Sequence, residues 1–170
     1  MRKLKSLGMG LIMLGVSGAV FVFDRLTKLA VMQGWIAQGP VLSTWVHITA
    51  HRNYGLMANL PLPSFLIITF SLLALAVLAY GLYDAGKQAR IFDVLTLSLV
   101  LGGALANLYD RVAYGFVFDW LMFFRTSIVN AADAAIAIGL ILYAVANYLR
   151  GRRKASVDCH VVPTDDIGMR

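Results

Sequence analysis

"LVLGGALANLYDRVAYGFVFDW" spans Leu99 to Trp120. It opens in Leu, Val, Gly and Ala, as a helix in hydrocarbon would. It then places Asn107, Asp110, Arg111 and Asp119 within thirteen positions. An apolar helix that ends in strongly polar groups must put them where they are solvated or bonded to one another. Where that end lies decides the fold.

The surrounding chain supplies the setting. Of its 170 residues, 59% are hydrophobic, and the mean hydropathy is +0.74. Soluble domains average about 45–50% apolar residues. A soluble helical bundle of this length could not hide so much apolar surface, and the length suits one domain. A membrane-spanning helix needs about 20 mostly apolar residues. Four segments qualify: Leu7–Phe23, extendable to Val31; Leu62–Tyr83; Val94–Asp110; and Ile128–Leu149. The fold class expected is an all-α membrane protein, a four-transmembrane-helix bundle.

The formal charge of +6 follows this layout. Arg2, Lys3 and Lys5, then Lys87 and Arg90, then Arg150, Arg152, Arg153 and Lys154 share one side of an even-numbered bundle. The positive-inside rule makes that side cytoplasmic, with both termini there. Arg25, Lys28, Arg52, Arg111 and Arg125 fall toward the other side. The basic residues thus set topology and attract anionic phospholipid headgroups. They form no aromatic-basic groove, so no nucleic acid is expected. The start "MRKLK", with an apolar run ending "VSGAV", has signal-peptide features. Cleavage near Ala19 would leave three spans and spoil the charge pattern, so an uncleaved first helix is expected.

Residues 32–61 form the long outer segment. Val46, Ile48 and Ala50 alternate with His47, Thr49 and His51, a period of two that predicts a short half-exposed strand. Trp35 and Trp45 suit anchoring at the membrane–water boundary. Residues 1–150 are expected to form the membrane domain. Residues 151–170 show no helical period and are expected to form a mobile cytoplasmic tail. The single cysteine, Cys159, excludes an internal disulfide and any paired-cysteine metal or redox motif. The three histidines have no ligand spacing, so no metal or cofactor is expected.

The third predicted span runs from inside to outside. Gly103, Asn107 and Arg111 are four apart and share a helix face. The fourth span begins outside, where Asn130 and Asp133 are three apart on one face. Asp119 lies in the connection between these spans. Asp119 and Asp133 therefore reach the same depth, near the outer leaflet. Ionisable groups there are costly and are candidates for function. Asp110 and Arg111 read equally well as an interfacial pair anchoring a helix end. Asp24 and Lys28, at i and i+4, read as a salt bridge at least as readily as chemistry. Gly102, Gly103 and Ala106 read as close-packing residues.

Two neighbouring carboxyls can hydrolyse an amide. Close like charges do not both ionise easily, so one keeps a proton. The ionised member takes a proton from water, and the protonated member donates to the scissile carbonyl. Spacing alone leaves other readings open, including a small four-helix transporter or proton relay with a functional membrane carboxylate.

Five ordered blocks narrow the choice. "DRLTK" (24–28), "NYG" (53–55), "GGALANLYDR" (102–111), "GFVFDW" (115–120) and "NAAD" (130–133) resemble those of lipoprotein signal peptidase, the signal peptidase II family of bacterial intramembrane aspartyl proteases. The resemblance covers about residues 20–140. It implies Asp119 and Asp133 as catalytic residues. It implies Asn53, Gly55, Asn107, Arg111 and Asn130 as the lining of the substrate site, with Asp24 and Lys28 supporting the fold. It further implies a small extracytoplasmic β-cradle, no cofactor, and diacylglyceryl prolipoproteins as substrates, cut before the lipidated Cys. The location implied is the inner membrane, as a monomer. Ala106, Leu56, Met57 and Val129 depart from the family pattern, and the stretch between the two aspartates is short. These departures bear on substrate preference and leave open a catalytically altered paralogue that binds lipid-modified peptides.

Overall fold

The computed structural model describes residues 2–42, 45–55 and 62–160. Four helices and four strands follow one another along the chain. They are α1 (Arg2–Met32), β1 (Gly39–Leu42), β2 (Val46–Asn53), α2 (Ser64–Lys87), α3 (Ile91–Tyr114), β3 (Val117–Phe123), β4 (Ser127–Val129) and α4 (Ala131–His160). Each helix contains a stretch long and apolar enough to cross a membrane. The strands form one antiparallel sheet in the order β1-β2-β3-β4.

Helix α3 is the centre of the bundle. In its most apolar window 56% of residues are buried, against 11% in each of the other three. The other helices expose rows of Leu, Val, Ile and Phe, as spans facing lipid do. Small residues let the neighbours close on α3. A Cβ added at Gly102 would lie 2.6 Å from the Ser17 carbonyl oxygen on α1, and one at Gly103 would lie 2.5 Å from the Ala132 carbonyl oxygen on α4. Further down, a Cβ at Gly139 of α4 would meet the Thr96 carbonyl oxygen at 2.6 Å. Lipid gives no hydrophobic drive for helix association, so such backbone approaches carry the packing. Ser17 adds a hydrogen bond from its Oγ to the Ser98 carbonyl, 3.0 Å.

The basic residues at one end of the bundle make buried ion pairs. Asp93 is fully buried and accepts from Arg150 Nη2 at 2.7 and 2.9 Å. Arg90 reaches the same carboxylate at 3.0 Å and also pairs with Asp84. The turn between α2 and α3 is thereby clasped to α4.

Two boundaries differ from the sequence expectation. Helix α4 continues past 150 to His160. Residues 152–155, Arg-Arg-Lys-Ala, are strong helix formers that need no apolar face to extend an existing helix. Residues 161–170 lie outside the described residues. The link holding Asp119 is also not a plain connection. Gly115, at φ +77°, ends α3 in a left-handed cap, and its N–H donates to the Arg111 carbonyl at 3.1 Å. The chain turns there into β3, which pairs with the anticipated strand, β2. The register sets Asp119 opposite His51 and Val117 opposite Asn53.

Candidate active site

The sequence "NAAD" has a local reason for its shape. Asn130 is the residue before α4, and Asp133 is the third residue within it. Asn130 Oδ1 accepts from the Asp133 N–H at 2.9 Å, and Asp133 Oδ2 accepts from the Asn130 N–H at 3.2 Å. This is a capping box built from Asn and Asp, which satisfies two free donors at the helix start. It also fixes the Asp133 carboxylate at the positive end of the helix.

The Asn130 amide nitrogen remains free to point outward. It donates to Asp119 Oδ1 at 2.6 Å and to Asn107 Oδ1 at 3.2 Å. Asn107, on α3, donates its own amide to Asp133 Oδ1 at 2.7 Å. Asn53, at the end of β2, donates to Asp119 Oδ2 at 3.0 Å. Asn53 Oδ1 then accepts from the Gly55 N–H at 3.1 Å. Each carboxylate thus accepts two hydrogen bonds from neutral amide groups, and Asn130 touches both. Asp119, Asn130, Asn107 and Asn53 are all buried, between 1% and 8% exposed. Arg111 stands at the edge, donating to the Gly55 carbonyl at 3.5 Å and the Asn107 carbonyl at 3.3 Å.

A second buried cluster lies against the first. Lys28 Nζ sits 2.7 Å from Asp24 Oδ2 and 2.7 Å from Asp110 Oδ2. Arg25 pairs with the same two carboxylates and lies over the Tyr109 ring. The Asp24–Lys28 salt bridge read from the i, i+4 spacing is present. The Asp110–Arg111 pair is not found. Successive helical residues face about 100° apart, so Asp110 turns to α1 while Arg111 turns to the carboxylate pair. Of the departures from the family pattern, Ala106 is fully buried in the bundle, whereas Leu56 and Met57 lie outside the described residues.

Burial pushes the Asp119 carboxyl up to about 6. The hydrogen bond from Asn53 pulls it back, the charge of Asp133 raises it, and the Asn130 amide and the Lys28 charge lower it. The Asn53 amide favours the ionised form, so Asn53→Ala raises this value further. The titration of the Asp119 carboxyl, followed by NMR of its carbon, is expected to move to higher pH in that variant. A titration that stays in place or moves down contradicts this account of the Asp119 environment.

Four apolar helices thus hold two amide-bonded carboxyls beside a small sheet. Known proteins supply the family. A family profile described as "Signal peptidase (SPase) II" matches residues 16–149. A protein of Burkholderia mallei (strain SAVP1) named "Lipoprotein signal peptidase" is 35% identical over 153 residues, covering 82% of this chain and 90% of that protein. Another of that name, from Syntrophomonas wolfei subsp. wolfei, is 31% identical over 138 residues, covering 79% and 91%. A solved structure described as a bacterial membrane enzyme at 2.3 Å resolution superposes with a TM-score of 0.75 at 27% identity, covering 84% of this chain and 90% of that one. A second, at 1.9 Å, gives 0.69 at 29% identity, covering 79% and 90%. The chain belongs to the signal peptidase II family. It is a multi-pass membrane peptidase that cleaves signal peptides from prolipoproteins.

Proposed function

We propose that the chain is an aspartyl endopeptidase that cuts diacylglyceryl-modified prolipoproteins before the lipidated Cys, with Asp119 and Asp133 as its catalytic pair. The observation that carries this reading is the Asn130 bridge, which bonds to both carboxyls at once. Asn130 holds Asp133 through its backbone N–H and Asp119 through its side-chain amide, and two acidic groups gathered at one residue share a proton readily. With one ionised, the pair removes a proton from water as the oxygen attacks the scissile carbonyl. The other gives its proton to the carbonyl oxygen, forming a tetrahedral diol. Collapse of the diol breaks the C–N bond, and the amine leaves with a proton from the pair. The pair titrates as a unit, so base and acid are not assigned to single residues.

The bundle offers a path for the substrate. A groove of about 680 Å³ runs between α2 and α4 over α3, lined by Leu73, Val77, Val100, Ala104, Ile136 and Leu140. Ile136 lies one helical turn below Asp133. An apolar signal-peptide helix in this groove brings its C-terminal end toward the carboxyl pair. Asn53, Gly55, Asn107, Arg111 and Asn130 then border the peptide backbone. The Arg111 guanidinium keeps donors for its carbonyls, since its two protein contacts are long. In this reading the protein acts as a monomer in the inner membrane. Both termini are cytoplasmic, the carboxyl pair lies near the outer leaflet, and phospholipid surrounds the spans.

The test is a purified preparation in lipid, given a defined diacylglyceryl prolipoprotein peptide and its unlipidated twin. Mass spectrometry is expected to find one cut, before the lipidated Cys, and at least about tenfold slower turnover of the twin, a difference of about 1.4 kcal/mol in transition-state binding. Equal turnover of both peptides, or a cut elsewhere, rejects the substrate assignment.

A further inference from the structure

The buried cluster between α1 and α3 touches both halves of the carboxyl pair through the backbone. Asp24 Oδ1 accepts the Ala132 N–H at 3.0 Å, and Ala132 directly precedes Asp133. Asp110 Oδ2 accepts the Phe118 N–H at 3.4 Å, and Phe118 directly precedes Asp119. Lys28 Nζ joins these two carboxylates at 2.7 Å each. One ammonium thus ties the strand carrying one catalytic group to the helix carrying the other. We propose that Lys28 is a positioning residue that sets the separation of Asp119 and Asp133. This rests on those two residues being the catalytic pair.

The physical argument concerns tolerance. Consecutive Cα atoms lie about 3.8 Å apart, so each anchored N–H stands one residue from a catalytic Cα. Lys28 is 2% exposed, while Asp24 and Asp110 are 0% and 1% exposed. Its head group is therefore shut off from bulk solvent. Arg25 reaches the same carboxylates from a more exposed position, 18% exposed, and backs the bridge without replacing its central position. Removing the Lys28 ammonium leaves only Arg25 between Asp24 and Asp110, and the strand and helix they hold lose their central tie. A misplacement of about 1 Å at reacting groups can cost about 100-fold in rate.

The full-length protein in lipid tests this through Lys28→Met. The rate is taken per molecule that captures a non-cleavable diacylglyceryl peptide, so misfolded protein does not count. The expected result is a fall in kcat of about 10- to 100-fold with KM within about threefold of the parent. The paired variant Asp24→Asn/Lys28→Met removes the bridge, leaves Arg25 balanced by Asp110, and keeps an acceptor for the Ala132 N–H. It is expected to show the same fall and provides the reading if Lys28→Met alone does not fold. Parental kcat per capturing molecule in either folded variant overturns the proposal, because Lys28 then acts on stability alone. So does a loss expressed entirely in KM. Asp119→Asn serves as the control. If Asp119→Asn is inactive while both Lys28 variants keep parental kcat, only this inference fails. If Asp119→Asn cleaves at the parental rate, the catalytic-pair reading fails first.

Discussion

Asp119→Asn and Asp133→Asn, made separately, are each expected to lower kcat by about 10³- to 10⁴-fold while prolipoprotein binding persists. The magnitude follows from the role. An amide can neither take a proton from water nor give one to the substrate carbonyl, and positioned proton transfer contributes about 10²–10⁴-fold. The cavity is otherwise conserved, since Asn is nearly isosteric with Asp. In Asp119→Asn, one new amide nitrogen must face the donor of Asn53 or of Asn130, which now meet carboxylate oxygens at 3.0 and 2.6 Å. A modest loss of thermal stability is expected from that clash of donors. Cleavage of a defined diacylglyceryl peptide, measured with protein shown to be inserted, separates the two effects. Parental cleavage by either variant contradicts the assignment.

Asn130→Ala is expected to reduce kcat by about 100-fold or more, the order seen when a single preorganised donor is removed from an active site. One side chain makes three separate contributions here. It caps α4 through the Asp133 N–H, holds Asp119 Oδ1, and supports Asn107. Loss of the cap costs about 1 kcal/mol of stability. Loss of the bridge frees Asp119 to leave Asp133. Asn130→Asp tests the parts separately. Its oxygen can still cap the helix, but a third carboxyl beside the pair repels both. The double-mutant cycle of Asn130→Ala with Asn107→Ala is expected to be non-additive, because the two amides bond to each other. Additive losses within about 0.5 kcal/mol indicate independent roles instead.

The sequence exposed the spans because lipid imposes a composition that can be counted. It also exposed Asn107, Asn130 and Asp133, because helical spacing places them on faces that meet, given antiparallel neighbours. The strand at Val46–Asn53 was legible from its alternation. Strands β1, β3 and β4 were not. Strand β3, "VFDWLMF", is apolar on both faces except for Asp119, so no period of two marks it. The β3–β4 turn offers no glycine signal either. Phe124 and Arg125 occupy positive φ at 50° and 61°, where Asn-Gly is the usual choice. The turn is held in part by the Phe124 N–H on the Trp45 carbonyl at 2.8 Å and by the Trp45 ring against Phe124.

Other features depended on distance along the chain. The Asp24 bond to the Ala132 N–H joins residues 108 positions apart. No local pattern could foretell it. The Asp24–Lys28 spacing gave the salt bridge but not Asp110, the third member, which the sequence offered more plainly to its neighbour Arg111. Gly103 was legible as a packing residue. Its contact with Ala132 was not, although that approach lets the first turn of α4 bring Asp133 within reach of Asn107.

The most direct measurement is an experimental structure of the protein in lipid with a non-cleavable diacylglyceryl peptide whose scissile carbonyl is replaced by a hydroxyl-bearing carbon. That hydroxyl stands in for the tetrahedral diol. The account places it within hydrogen-bond distance of both Asp119 and Asp133, with Asn130 still bridging them. A hydroxyl bound away from either carboxyl, with the peptide otherwise seated in the groove, contradicts it.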